Sequence, residues 1–401
     1  MLDTVRQYLV TNRETPMAFL YNAHRILKAL RSDEVKTPEF RFTDPYGREV
    51  SHKGMLIKLK DIKKMHDQEL ERYRGYIRTE IFFGEDIPED IFPRFEIEDL
   101  VDNVNNSAAG YCFIDDPRNG FDRFRDSYGR WLLSDPDRAE RFVYYHNGVL
   151  FWKPDAVLDL LKRLETSRGI LAPGVAYSAL LQVRGTEFAR MLLRNTAGAL
   201  RNLRMEYHIL NYVALQDKTS HQHLKDRYIP HAITRPWAIE LVNHLTIFRP
   251  LEEFLVGKFM DEDVLHSYRT QLWPALKGTL TGEAYGNFCG KITTQYLGMP
   301  FKPQLWRSLM TAFSTYLPQT QAFDSHRAYF VDKAMMHGPM MRNRYGRTTD
   351  QVVESDFRTT VGCIQACLEF QSHVVIGQER PFTLLTQQES LLEVGEQQRG
   401  W

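Results

Sequence analysis

The stretch QVRGTEFARMLLRNTAGALRNLRMEYHILNYVALQDKTS, residues 182–220, changes its hydrophobic period partway along. Its first part continues a helical pattern covering residues 174–193, in which Leu180, Leu181, Phe188, Met191 and Leu192 form an apolar stripe. From Leu203 the run LRMEYHILNYVAL alternates and is rich in β-branched and aromatic side chains, as a half-buried strand requires. The polar turn DKTSHQHLKDRY follows. Arg184 falls on the apolar stripe, an expensive place for a cation that cannot shed its proton. Glu187, one turn on, supplies part of the compensation, and an anionic ligand would supply the rest.

Outward from this block, 401 residues that are 43% hydrophobic suffice for two folded domains. Lys+Arg and Asp+Glu balance at 51 each, so net charge argues for neither nucleic acid nor membrane. The distribution is uneven. Acids dominate residues 78–116, whereas Arg190, Arg194, Arg201, Arg204, Lys218, Lys225 and Arg227 dominate residues 184–235, and Arg342, Arg344 and Arg347 form a later basic run. Four scattered cysteines, Cys112, Cys289, Cys363 and Cys367, imply a reducing compartment rather than a disulfide framework; the last two read as helix-face residues. No run approaches the roughly 18 apolar residues of a membrane span, so neither a membrane nor secretion is expected.

The segment from Thr15 is spaced as a helix, residues 40–59 read as strands around the turn Asp44-Pro45-Tyr46-Gly47, and residues 59–81 as a long polar helix. The Pro- and acid-rich passage GEDIPEDIFPRF with VDNVNNSAAG reads as a connection. This places the domains at 1–105 and 106–375, with a flexible tail at 376–401. Residues 155–165 predict another amphipathic helix and 237–248 a further one that Pro250 stops or bends, with more helices to about Val375. The fold class expected is α+β, mainly α.

In chain order the second part offers Arg184, Lys218, Arg307, His337 and Tyr345. A phosphate attacked by a hydroxyl gathers charge that two arginines and a histidine stabilise without a metal or other cofactor. Arg342, Arg344 and Arg347 would favour the phenolate of Tyr345, and Lys218 on its turn would protonate the leaving 5′-hydroxyl. A straight helix would hold Tyr345 roughly 12 Å from His337, but Gly338-Pro339 turns the chain between them. Taken singly, these residues have plainer readings: a helix ion pair for Arg184 and Glu187, a contact with Trp306 for Arg307, core packing for the methionines around His337. The segment 286–291 resembles a P-loop with one residue too few and Ile292 where Ser or Thr should stand, and His208, His221, His223 and His231 lack ligand partners at metal spacing.

This order resembles the tyrosine recombinase family, whose pattern runs Arg, Lys, His-x-x-Arg, His or Trp, then Tyr. Residues 182–220 are similar to the signature block of recombinase-like regions in fungal telomere-linked RecQ-type helicase proteins and Crypton-type elements. TPMAFLYNAHRIL resembles the opening of those proteins, extending the likeness over most of residues 15–350. The resemblance implies catalytic roles for Arg184, Lys218, Arg307, His337 and Tyr345, supported by Glu187 and Gln304. It implies duplex DNA as partner, a homo-oligomer on DNA, strand cleavage and rejoining through a 3′-phosphotyrosine, and nuclear location. Phosphate contacts fall to Arg190, Arg194, Arg201, Arg204, Lys225, Arg227, Arg342, Arg344 and Arg347. Gln304 stands where the family has histidine and cannot carry charge. That departure favours an alternative, a non-catalytic DNA-binding module derived from such a protein. The neutral net charge also allows a helical interaction scaffold.

Overall fold

Asp44 organises the first turn, its side chain accepting from the Arg48 backbone N–H at 2.7 Å and its carbonyl from that of Gly47 at 3.2 Å. The computed structural model describes residues 23, 40–44, 47–179, 182–214, 228–314, 357–372 and 374. The turn joins β1 (Arg41–Phe42) to β2 (Glu49–His52), and a two-residue turn with Lys53 and Gly54 at φ 49° and 83° returns the chain as β3 (Met55–Lys58). The three strands pair in chain order, strands having been expected on either side of the Asp44 turn. The helix expected from Thr15 lies outside the described residues, Ala23 apart.

The chain separates into two compact units, Met1–Ile57 and Lys58–Trp401. Residue 105, the boundary expected from composition, falls inside the second of these units. The passage read as a connection lies in the second unit, tied to the segment that leads into that unit's sheet. Asp102 forms a fully buried ion pair with Arg201 and also accepts from the Met205 backbone N–H at 3.1 Å. Tyr111 donates to the same carboxylate at 3.2 Å and lies 4.6 Å under the Arg201 guanidinium. Asn195 donates to the carbonyls of Asn106 and Ala108. Composition signalled an exposed connection, and most of its residues are exposed; the buried Asp102–Arg201 pair anchors it to the rest of the unit.

The second unit begins with α1 (Leu59–Tyr76), whose buried Ile62, Met65, His66, Glu69 and Tyr73 recur at three- and four-residue steps before a π-turn, Ile77–Ile81. After 3-10 turns come α2 (Ser127–Ser134), α3 (Pro136–Phe142) and a hairpin of β4 (Val143–His146) with β5 (Val149–Trp152). Helix α4 (Pro154–Ser178) is longer than its amphipathic start suggests. From Ile170 to Ser178 it is buried all round, with α1, α6 and α9 packed on it. Gly174 is required there, since a Cβ would lie 2.2 Å from the Trp237 ring.

Instead of the single helix expected over residues 174–193, α4 ends at Ser178 and a short α5 (Gly185–Ala189) starts anew at Arg184, which has extended backbone. The predicted sheet is present as β6 (Leu203–Glu206), β7 (Ile209–Ala214) and β8 (Ile229–Ala232), antiparallel in chain order. Helix α6 (Arg235–Asn243) runs through a π-turn, His244–Phe248, into α7 (Arg249–Phe259). Pro250 sits in the first turn of α7, where a missing N–H is tolerated, so it does not end the helical path. Then follow α8 (Glu262–Thr270), the short pair β9 (Pro274–Ala275) and β10 (Gly278–Thr279), α9 (Gly282–Leu297), α10 (Pro303–Ser314) and α11 (Phe357–Gln371). Helix α11 covers β8, Gln371 donating to the Ala232 carbonyl at 2.6 Å, and buries Cys363 and Cys367. No helix among the described residues is long and apolar enough to cross a membrane.

A second buried charge group joins α4 to α7. Arg168 pairs with Glu252 and donates to the Pro274 carbonyl and Tyr268 hydroxyl, while Arg249 donates to three carbonyls, of Tyr268, Gln271 and Leu272.

Asp102→Ala should cost about 3–5 kcal/mol in urea unfolding, because it strands Arg201 in the interior, and replacing both partners by apolar residues should cost less. Gly174→Ala should cost about 2–3 kcal/mol by overpacking against Trp237. Burial lowers His66 from its ordinary 6.5 to about 3. Between these values only the unfolded chain binds the proton, so the contribution is complete above pH 6.5 and falls as the pH drops toward 3. The thermal midpoint should therefore decline with acidification below pH 6.5, less steeply in His66→Leu.

Candidate functional site

Arg184 occupies the N-cap of α5, and Glu187 closes a local ring upon it: the carboxylate accepts from the guanidinium at 2.6 Å and from the Arg184 backbone N–H at 3.4 Å. Both side chains are half-buried. They do not lie within a continuous helical stripe, because the helix pattern that placed them there is interrupted.

What fixes α5 is its close approach to α9 and α10. A Cβ on Gly185 would lie 3.2 Å from Pro303 and 3.3 Å from Tyr285, and one on Gly282 would lie 2.7 Å from the Thr186 methyl. Glycine at both positions lets these backbones approach. Phe188 then stacks on Tyr285 and Trp273 at 4.9 and 5.3 Å and meets Tyr212 of β7 edge-on at 5.4 Å. The apolar spacing showed Phe188 as a core residue; Gly185, Gly282 and Pro303 had no signal beyond their own conformational habits.

On α10, Trp306, Leu309, Met310 and Phe313 face the core, and Trp306 packs against Tyr177 at 4.4 Å. Arg307 is left half-buried at the edge of that face. Its proton affinity is lowered by burial first and by the charge of Arg184 second, with Glu187 acting in the opposite sense. Arg307 nonetheless remains a cation at any physiological pH. The charges of Arg184 and Glu187 therefore both reach Arg307. Gln304 is exposed one turn before Arg307.

The extended basic face expected over residues 190–227 is not what the fold builds. Arg194 is bound to Asp115 at 2.9 Å and Glu253 at 2.7 Å, Arg201 is the buried partner of Asp102, and Arg204 lies buried with its guanidinium 5.1 Å over Tyr228. These three stabilise the protein and cannot meet a phosphate backbone. Spacing alone could not separate them from Arg190, which is exposed after α5. Lys218, Lys225 and Arg227, together with His337, Arg342, Arg344, Tyr345 and Arg347, lie outside the described residues. Lys218 belongs to the connection between β7 and β8, as its place after a strand predicted.

Among the described residues no group of three His, Cys, Asp or Glu side chains could hold a metal ion. His208 bonds the Glu98 carbonyl at 2.7 Å, and His231 is buried against Tyr212. The P-loop-like segment 286–291 lies within α9.

Glu187→Gln should remove the carboxylate that holds Arg184 near the charge of Arg307, lowering stability by about 1 kcal/mol at this partly solvated site. Added sulfate should restore much of the loss in a thermal-shift series, and the restoration should vanish when Arg307→Met is combined with it. Comparisons with protein-family models, curated proteins and solved structures find no match for the chain.

Proposed function

We propose that the chain is a DNA-binding protein of tyrosine recombinase type that cleaves and rejoins a strand through Tyr345. The observation that carries this reading is that Arg184, paired with Glu187, and Arg307, far apart in sequence, come close enough for their charges to act on one another, with a three-stranded sheet between them in the chain and Lys218 in the sequence between β7 and β8. Two fixed cations at a half-buried site suit a phosphodiester, whose equatorial oxygens gain charge as a hydroxyl attacks.

In the reaction the Tyr345 oxygen bonds to phosphorus as the 5′-oxygen leaves, giving a 3′-phosphotyrosine. Lys218 donates the proton to the leaving 5′-oxygen, and His337 assists at the phosphate. Arg184 and Arg307 neutralise the non-bridging oxygens, while Glu187 holds Arg184 in place. Rejoining reverses these steps, with neither metal nor nucleotide. The partner is duplex DNA, the assembly on it a homo-oligomer, and the location the nucleus.

A specific observation favours a second reading, a non-catalytic DNA-binding module. Gln304 is exposed and uncharged beside Arg307 where the recombinase pattern has histidine, and the burial of Arg201 and Arg204, with Arg194 held by two carboxylates, takes phosphate contacts away. An interaction scaffold without DNA is the third.

Nicked suicide substrates, including telomere-adjacent sequence, separate them on a denaturing gel with peptide mapping. Strand transfer predicts a covalent adduct at Tyr345 that is lost in Tyr345→Phe and in Arg184→Ala. Binding without adduct across varied substrates supports the non-catalytic module. In that case affinity should fall steeply with salt, since phosphate contacts release counterions. Absence of both leaves the scaffold.

A further inference from the structure

The dipeptide Asn-Gly stands at two places in the chain, Asn119-Gly120 and Asn147-Gly148. Glycine has no side chain to shield its backbone nitrogen, so that nitrogen can reach the carboxamide carbon of the asparagine before it. The fold holds the two copies in opposite ways. Asn119 is half-buried, its Oδ1 accepting from the Val101 backbone N–H at 2.8 Å and its Nδ2 donating to the carbonyls of Val101 and Phe113 at 2.9 and 2.8 Å. The Gly120 N–H donates to the Pro117 carbonyl at 3.1 Å. Attack at this site would have to break these bonds together.

Asn147 and Gly148, at φ 51° and 76°, form the two-residue turn between β4 and β5. Both are exposed, and among the described residues no hydrogen bond holds the Asn147 side chain or the Gly148 N–H. The ribbon pairs His146 with Val149 and Tyr144 with Phe151, and no third strand among the described residues joins it. Such a two-stranded ribbon opens from its tip more readily than a wider sheet. The stack of Tyr144 on Phe151, with centroids 5.6 Å apart, holds it closed, yet both rings remain exposed.

We propose that Asn147 is a deamidation site, at which the tip of the β4–β5 hairpin acquires a carboxylate and, as isoaspartate, an additional main-chain methylene. The Gly148 nitrogen gives its proton to solvent and bonds to the Asn147 Cγ, while Nδ2 takes up a proton and leaves as ammonia. The product is a cyclic succinimide. Water then opens the ring at one of its two carbonyls. Cleavage of the bond from nitrogen to Cγ leaves aspartate, and cleavage of the bond from nitrogen to the main-chain carbonyl carbon leaves isoaspartate.

Residues 143–152 contain no Asp, Glu, Lys or Arg, so the new carboxylate is the ribbon's first fixed charge. The isoaspartyl linkage also lengthens a turn that closes on two residues, which loosens the register of Tyr144 with Phe151. The site uses none of Arg184, Glu187 or Arg307 and does not rest on the recombinase reading.

Peptide mapping of the full chain aged in mildly alkaline buffer, with aspartyl and isoaspartyl products resolved, tests it. Asn147 should convert at least about tenfold faster than Asn119, whose three side-chain hydrogen bonds must break first. Isoaspartate should be the larger product. In urea that unfolds the chain the two sites should convert at comparable rates, since only the fold separates them. Phe151→Ser, which removes the stack, should speed conversion of Asn147 and leave Asn119 unchanged. Amide hydrogen exchange in the aged protein should rise across residues 143–152 and not around Asn119. Equal conversion of the two sites in the folded chain overturns the proposal, as does a difference that persists in urea. Aspartate without isoaspartate at Asn147 also overturns it, because the succinimide gives both.

Discussion

The buried ion pair between Asp102 and Arg201 holds the second unit in its arrangement. Neither charge has access to water, and each is satisfied by surrounding groups: the Met205 backbone N–H and the Tyr111 hydroxyl for the carboxylate, the Tyr111 ring and the Asn103 and Asn106 carbonyls for the guanidinium. Such a pair contributes less to net stability than to uniqueness of packing, because any alternative placement of the acidic segment leaves a charge uncompensated. Here it ties residues 102–111 to the start of β6. The Arg194 bridge to Asp115 and Glu253 extends the same tie to α7.

With β6 so placed, β7 lies where Tyr212 meets Phe188, and Phe188 sets α5 against α9. The N-cap of α5 is thereby brought to the edge of α10, which is why Arg184 and Arg307 sense each other's charge. The candidate site is thus a consequence of packing several layers removed from it. Its arginines differ physically from those nearby. Arg201 is wholly buried against Asp102 and Arg194 is held between Asp115 and Glu253, whereas Arg184 and Arg307 are both partly exposed.

The sequence carried much of this in its periodicities. Alternation announced a strand from Leu203, which a left-handed turn at Tyr207 and His208 divides into β6 and β7; the Asp44 turn announced strands on either side of it, and the polar helix expected over 59–81 is α1 with its π-turn. Burial of charge was not legible. Arg194, Arg201 and Arg204 share a linear run with Arg190, yet only Arg190 is exposed, because the acids that neutralise Arg194 and Arg201 come from distant segments. The helix over residues 174–193 was misread for a related reason. Its apolar spacing is real, but the chain breaks after Ser178 so that Phe188 can enter the core from a new direction.

Local preferences alone therefore determined element types, the small sheet, and Arg184 with Glu187 as a linked pair, since these depend on side chains within a turn or two of each other. Only the tertiary structure decided the unit boundary at Ile57, the burial of Arg201 and Arg204, the approach of Arg184 and Arg307 within reach of each other's charge, and the exposure of the β4–β5 aromatics. Each of these turns on which distant surfaces exclude water together, and solvent exclusion is a property of the packed chain that no linear spacing encodes.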